Sequence, residues 1–298
     1  MTVDAIFCAD THLRSDTPRS RTDDFYKTLQ TKFEFILQKG KELQCPILIA
    51  GDLGHRSSWP WSLYSWFIRI INYYDADIIC IPGQHDLPNH RIDKMVDAPI
   101  GVADMSDFII ALNEEKITRK EFVVHGFPFG VKVSGKLIPD TVNIALTHQM
   151  VIEDKPEWEG QAGTKAITLL RRNNFDVILS GDNHKPFVVK YKNKLLVNPG
   201  SMMRSNADQA NHKPRIYLYN AEENDVTPLF LPIEKDVLKE APKDSENRKK
   251  RYEAFVENLQ EDKGTTVKFE DNVERYFSTN RTRKNIKERV WEIIEMVS

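Results

Sequence analysis

The sequence predicts an α/β protein organised on a parallel sheet. Short apolar runs, Val3 to Ala9, Pro46 to Ala50 and Asp77 to Ile81, alternate with segments of helical period. That βαβαβ order calls for parallel strands joined by right-handed crossovers. Each run also stops at polar side chains: Asp10-Thr11-His12, Gly51-Asp52 and Gly83-Gln84-His85-Asp86. Ligands of open α/β sheets bind beyond the carboxyl ends of the strands, so these stops mark a candidate site.

Bulk properties bound the reading. The 298 residues leave room for roughly two domains, and 40% hydrophobic with 29% charged residues is ordinary for a soluble globular chain. A net charge of -2 provides no general basic field, so any polyanion has to be held by a local patch or a bound cation. Cys8, Cys45 and Cys80 lie in or beside apolar runs, as small buried hydrophobes do, and their odd number argues for a reducing compartment. Without a leader-like start or a stretch approaching 18 apolar residues, a cytoplasmic location with no membrane partner is expected.

After the first strand, Leu13 to Asp24 reads as a polar loop carrying Arg14, Arg19 and Arg21. Phe25, Leu29, Phe33, Ile36 and Leu37 give a helix that Gly40 is expected to stop. Ser58 to Tyr74 predicts a long aromatic helix with Pro60 in its first turn. Leu87 to Asp107 reads as a long connection, followed by strands at Phe108 to Leu112, Phe122 to His125, Val142 to Thr147 and Val177 to Ser180. A short helix is expected over Thr164 to Arg172. Phe187 to Val197 reads as a hairpin, closed by Asn198-Pro199-Gly200-Ser201, with further strands at Arg215 to Tyr219 and Pro228 to Pro232. Beyond about Ile233 the composition turns highly charged, and two amphipathic helices are expected, the stronger over Ile286 to Val297. The domains are therefore read as 1–233 and a helical appendage, 234–298.

Gathered together, the strand ends supply Asp10, His12, Asp52, Gln84, His85, His148, Asp182 and His184. This mixed nitrogen and oxygen set suits Mn²⁺, Fe²⁺ or Zn²⁺, and it is larger than one site with an open position can use. Two ions about 3.5–4 Å apart, sharing a carboxylate, would use it, and Asp52 after its glycine is the natural bridge. Such a pair generates hydroxide near neutral pH and neutralises phosphate charge, which points to phosphoester hydrolysis.

The order Asp-x-His, Gly-Asp, Gly-x-His-Asp, His, Gly-x-x-His resembles the calcineurin-like metallophosphoesterase superfamily. Gly51-Asp52-Leu53-Gly54-His55-Arg56, Thr147-His148-Gln149 and Asn198-Pro199-Gly200-Ser201-Met202 resemble its SbcD-type DNA repair exonuclease branch. The resemblance spans roughly residues 3 to 220 and implies a four-layer αββα sandwich. It implies one metal on Asp10, His12, Asp52 and His184, and a second on Asp52, Gln84, His148 and Asp182. His85 would face the scissile phosphate with Asp86 orienting its ring, and His55 would help process the nucleic-acid end. Gln84 and Asp182 depart from the family's Asn and His, which makes the second site harder and shifts it towards Mn²⁺ or Mg²⁺.

Plainer readings stand beside these. Gln84 and Asp182 also fit a turn-capping amide and an Asx turn, and His55 fits a solvated surface histidine. Arg14 and Arg56 flank the site as candidate phosphate contacts, although solvated charge explains loop arginines as well. Trp59, Trp61 and Trp66, at helical spacing, read as core rather than as a base-stacking platform. The expectation is a DNA nuclease with two divalent ions, Mn²⁺ first, with Mg²⁺, Fe²⁺ or Zn²⁺ as alternatives. A phosphatase or phosphodiesterase on small nucleotides or phosphoproteins, and a scaffold with a weakened second metal, are the competing readings. Partners implied by the resemblance are DNA and an SbcC-type ATPase docked on the C-terminal helices, with a homodimer left open.

Overall fold

The structure is a computed structural model describing residues 2–156 and 161–239 and, beyond these, Phe277 and Lys287. Strand β1 (Ala5–Cys8) leads through α1 (Phe25–Leu43) to β2 (Ile47–Ile49), and α2 (Trp61–Tyr74) leads to β3 (Ile78–Cys80). A loop with α3 (Pro99–Met105) reaches β4 (Ile110–Ala111). Then come β5 (Lys116–Thr118), β6 (Phe122–Phe127), β7 (Val142–His148), a small parallel pair β8 (Val151–Ile152) and β9 (Thr164–Lys165), α4 (Ala166–Arg172) and β10 (Val177–Gly181). β11 (Phe187–Tyr191), β12 (Lys194–Asn198), β13 (Arg215–Asn220) and β14 (Asp225–Phe230) complete the described strands.

They form two six-stranded sheets, ordered β14-β13-β1-β2-β3-β4 and β11-β12-β10-β7-β6-β5. Neighbouring side chains along one strand face opposite layers. Ile6, Ile47 and Ile49 meet Phe33, Ile36 and Phe67 of α1 and α2, whereas Phe7, Leu48 and Ile79 meet Val124, Ile144 and Leu179 of the second sheet. On that sheet's far face Ala145, Ile178 and Leu196 pack with Leu169, Leu170 and Phe175. The result is the predicted αββα sandwich. Parallel register, Cys8 opposite Ile49, Ile49 opposite Cys80 and His148 opposite Gly181, puts the polar strand ends on one rim.

Several elements differ from expectation. Gly40 does not stop α1: it lies where the helix packs closely on β2, a Cβ there falling 2.9 Å from Ile47 Cδ1, and the helix closes at Gln44 with φ 52°. The long connection contains α3, and β5 joins as an unpredicted edge strand. Cys8, Cys45 and Cys80 are buried free thiols, as read. Among the described residues no helix is long and apolar enough to cross a membrane.

The chain divides into two units, Met1–Glu240 and Ala241–Ser298. In the second, Lys287 Nζ donates to the Phe277 carbonyl at 2.9 Å; the amphipathic helices proposed for partner docking otherwise lie outside the described residues. In the first, residues 234–239 form a strap. Lys239 N donates to Ser20 O at 2.8 Å and Thr22 N to Val237 O at 3.0 Å. Beneath it the fully buried Lys32 ammonium is 3.3 Å from Glu234, whose side chain is 27% exposed, with Arg21 and Arg204 close by. Burial lowers the Lys32 pKa and Glu234 opposes the shift.

Removing the anion leaves a buried cation uncompensated. Glu234→Ala is expected to cost about 2 kcal/mol, below the usual range for a broken buried pair because Glu234 is partly wet, and Lys32→Met in that background should restore most of it. Thermal unfolding of the full chain checks this, and an unchanged midpoint in Glu234→Ala would show that water already serves the ammonium.

Candidate metal centre

Hydrogen bonding between β1 and β2 continues past their ends. Asp10 N donates to Gly51 O at 3.2 Å, His12 N to Asp52 O at 3.0 Å and Leu13 N to Leu53 O at 2.8 Å. The continuation holds Asp10, His12 and Asp52 in left-handed backbone conformations, with φ of 49°, 45° and 50°. Asp182 after β10 has φ 78°. Such conformations are uncommon for residues other than glycine but are enriched for Asp and His, and they cluster at functional sites.

Asp52 is the hub. Its Oδ2 lies 3.7 Å from His12 Nε2, 3.5 Å from His148 Nε2 and 3.9 Å from His85 Nε2, while Oδ1 accepts from His85 N at 2.9 Å. Two glycines permit this crowding. A Cβ on Gly51, at φ +83°, would sit 2.2 Å from His148 Nδ1, and one on Gly83 would sit 2.1 Å from Asp52 Oδ1. Around Asp10, the Asp182 amide donates to Oδ1 at 3.2 Å and His184 Nε2 stands 3.9 Å away. His184 Nε2 is also 3.1 Å from His12 Nε2.

The buried acceptors without hydrogen-bond partners test whether a cation suits this cluster. Among the described residues they include Asp10 Oδ2, His148 Nε2 and Gln84 Oε1. His148 Nδ1 donates to the Ala50 carbonyl at 2.7 Å, which turns Nε2 towards Asp52 and makes it the nitrogen that offers a lone pair once the ring is neutral. Buried acceptors without donors are costly, and a divalent cation satisfies them together. Asp10, His12 and His184, and separately Asp10, Asp52 and His148, each bring ligand atoms within 4.8 Å of one another. His12, His55 and His85 form a third such group.

Charge balance agrees. Burial pushes the Asp10 carboxyl up to about 6 and the His12 pKa far down. Desolvation would raise Asp52 as well, but the neighbouring His148, His12 and His85 hold it below the ordinary carboxylate range. Burial opposes charge on His148, yet the Asp52 carboxylate beside it outweighs that and takes the imidazole up to about 10. Protons thus do the balancing work that a bound cation would take over.

Asp182 is not in any of the three groups among the described residues. Its carboxylate accepts from Gln84 Nε2 at 2.9 Å, so the two departures from the family pattern meet each other. This bond fixes the Gln84 amide with Oε1 as the free, buried acceptor. Asp182 therefore positions the Gln84 amide.

Asp86 requires a correction. Its Oδ1 accepts from Gly54 N at 2.7 Å, and its Oδ2 from Leu53 N at 3.1 Å and Gly83 N at 2.9 Å, so no oxygen orients the His85 ring. The ring is held instead by the His55 backbone carbonyl, 3.0 Å from His85 Nδ1, which turns Nε2 towards Asp52. Burial and the nearby Asp52 push the Asp86 carboxyl up to about 7.

His55 stacks on His85 with centroids 5.6 Å apart, and Arg14 Nη1 is 2.8 Å from His55 Nε2. Burial and the Arg14 charge bring the His55 pKa down to about 4. Arg14 is itself held by Asp16, so it borders the site as a fixed cation, while Arg56 lies exposed in the adjoining cavity. Sequence reading passed over Asn198. Its amide donates to Asn183 O at 2.6 Å and Lys185 O at 2.7 Å, clamping the backbone either side of His184. Only its place in the turn signature pointed to it.

A layered sandwich whose strand ends deliver carboxylates and imidazoles around one buried aspartate defines a class, the metal-assisted phosphoester hydrolases. The chain belongs to the calcineurin-like phosphoesterase family, whose model matches residues 5–186. Solved structures agree on the fold. One is 14% identical with TM-score 0.51, covering 78% of this chain and 100% of its own. A Thermus thermophilus protein is 12% identical with TM-score 0.50, covering 77% and 99%. A more distant likeness, 14% identical with TM-score 0.44 and covering 76% and 99%, is to an archaeal protein described as a novel phosphodiesterase. No curated protein matches the chain.

Two outcomes follow. Asp86→Ala leaves three buried amides unpaired and should cost about 3 kcal/mol or more, with metal affinity falling alongside the unfolding midpoint. A variant of wild-type midpoint and metal affinity with an altered pH–rate profile would return Asp86 to a role at His85. In Mn²⁺ calorimetry of the full chain, Asp182→Ala should weaken one site about 10–100-fold and leave the other unmoved, Gln84→Ala should weaken the same site at least as much, and the double variant should be no worse than Gln84→Ala. Wild-type binding in Asp182→Ala would refute the positioning role.

Proposed function

We propose that the chain is a metal-dependent DNA nuclease that hydrolyses phosphodiester bonds with two divalent ions, Mn²⁺ foremost. The convergence of His12, His85 and His148 Nε2 on one Asp52 oxygen, with unpartnered buried acceptors around it, carries the reading. Asp10, His12, Asp52 and His184 would hold one ion, and Asp52, Gln84 and His148 the other. Bound there, the ions supply a water of lowered pKa and neutralise phosphate charge.

The chain's own groups do the rest. His85, hydrogen-bonded through Nδ1 to the His55 carbonyl, keeps Nε2 free at the site, where it holds or gives a proton to the leaving oxygen. Its side chain is 40% exposed, so substrate reaches it. Arg14, fixed between Asp16 and His55, is placed to meet a phosphate next to the reacting one. A cation fixed beside the cluster supports a polynucleotide over a monoester.

A small phosphodiester is the second reading. The cavity that contains Asp10, His12, His85 and His184 is about 230 Å³ and is bordered by Ser205, Asn206 and Gln209.

Incubation with Mn²⁺ and labelled single- and double-stranded DNA is expected to give cleavage that EDTA or Asp52→Ala abolishes. Hydrolysis of bis(p-nitrophenyl) phosphate without DNA cleavage would transfer the site to the second reading.

A further inference from the structure

Trp61 does not behave as the core residue its spacing predicts. It is 84% exposed at the start of α2, while Leu63, Trp66, Phe67, Ile70 and Ile71 fill the helix's buried face. Folding has no use for an indole there. Trp61 is part of an aromatic group, edge-on to Tyr64 at 6.3 Å, and Tyr64 is in turn 6.2 Å from Trp59. Together with Pro99 and Val102 these rings line a cavity of about 240 Å³. Asp97 also borders it, with Lys94 3.5 Å away to offset the charge.

This cavity is not isolated from the metal centre. Through Ser58 and Trp59 it adjoins a cavity of about 390 Å³ that holds Arg14, His55 and Arg56. Arg14 and His55 in turn line the cavity of the ligand cluster. One surface run therefore passes from the candidate cation ligands, past Arg14 paired with Asp16 and the exposed Arg56, to an exposed indole. Alternation of backbone-binding charge with an aromatic face is what an unpaired strand recognises, since every base has a π-face and every linkage an anion. A duplex stacks its bases on one another and offers no free face.

We propose that this run is a track for a single nucleic-acid strand, with one base stacked on Trp61 while the backbone passes Arg56 and Arg14 to the metal centre. The track rests on the nuclease reading and gives it a substrate form, an unpaired strand.

Anisotropy of a short labelled oligothymidylate on the full chain, with Ca²⁺ replacing Mn²⁺ to hold back cleavage, tests it. Trp61→Ala is expected to weaken binding about tenfold. Tyr73→Ala removes a 73% exposed ring about 18 Å further along the same helix and should bind as wild type. An oligomer of the same length made of abasic units should bind wild type and Trp61→Ala equally, because the indole has no base to lose. Equal oligothymidylate affinity in wild type and Trp61→Ala, in a chain that binds and cleaves DNA, overturns the track alone and leaves the aromatic patch to a protein partner. If the wild type neither binds nor cleaves DNA, the nuclease reading falls and the track falls with it.

Discussion

The Asp86 carboxylate is the contact on which the site depends. It takes amide hydrogens from Leu53 and Gly54 on one loop and Gly83 on another, and so fastens the loop after β2 to the loop after β3. Only with both loops drawn together does the His85 amide reach Asp52 Oδ1, and only then does the His55 carbonyl reach the His85 ring. A buried carboxylate with three donors is a stronger fastener than any neutral side chain, at the cost of desolvating a charge beside Asp52.

The side chains of the candidate centre are aimed by backbone rather than by one another. Carbonyls of Ala50 and His55 select which ring nitrogen of His148 and His85 faces the centre, and Asn198 pins the peptide groups around His184. Gln84 is the exception, aimed by the Asp182 side chain. Rigid peptide groups on a β-sandwich hold geometry well, so the crowded imidazoles and carboxylates keep their places around Asp52.

Much of this was legible beforehand. Strand ends are marked by an abrupt change from apolar to polar, so Asp10, His12, Asp52, His148 and His184 could be placed on one rim from strand order alone, and the structure brings them together. What escaped depends on contacts distant in sequence. Asp86 looked like a ring-orienting acid because its neighbour is His85, but two of the donors that claim it are some 30 residues away. Gly40 looked like a stop because a helix's neighbours are invisible in its own sequence. Trp61 looked like a companion of Trp66, but five residues turn an α-helix by about 140°, so the indole stands away from the face that Leu63, Trp66, Phe67, Ile70 and Ile71 bury. β5, a three-residue edge strand with two exposed residues, carries too little apolar signal to find.

Asp10, His12, Asp52 and Asp182 all sit at positive φ. The backbone thus screens its occupants before chemistry does: β-branched and bulky side chains are strained in that conformation, while Asp, Asn and His enter it with little cost. Those tolerated types are also ligand-bearing ones. At such a position a carboxylate, an amide and an imidazole are interchangeable as far as the main chain is concerned. A metal centre of this design can therefore be retuned one donor at a time, with its peptide frame left in place.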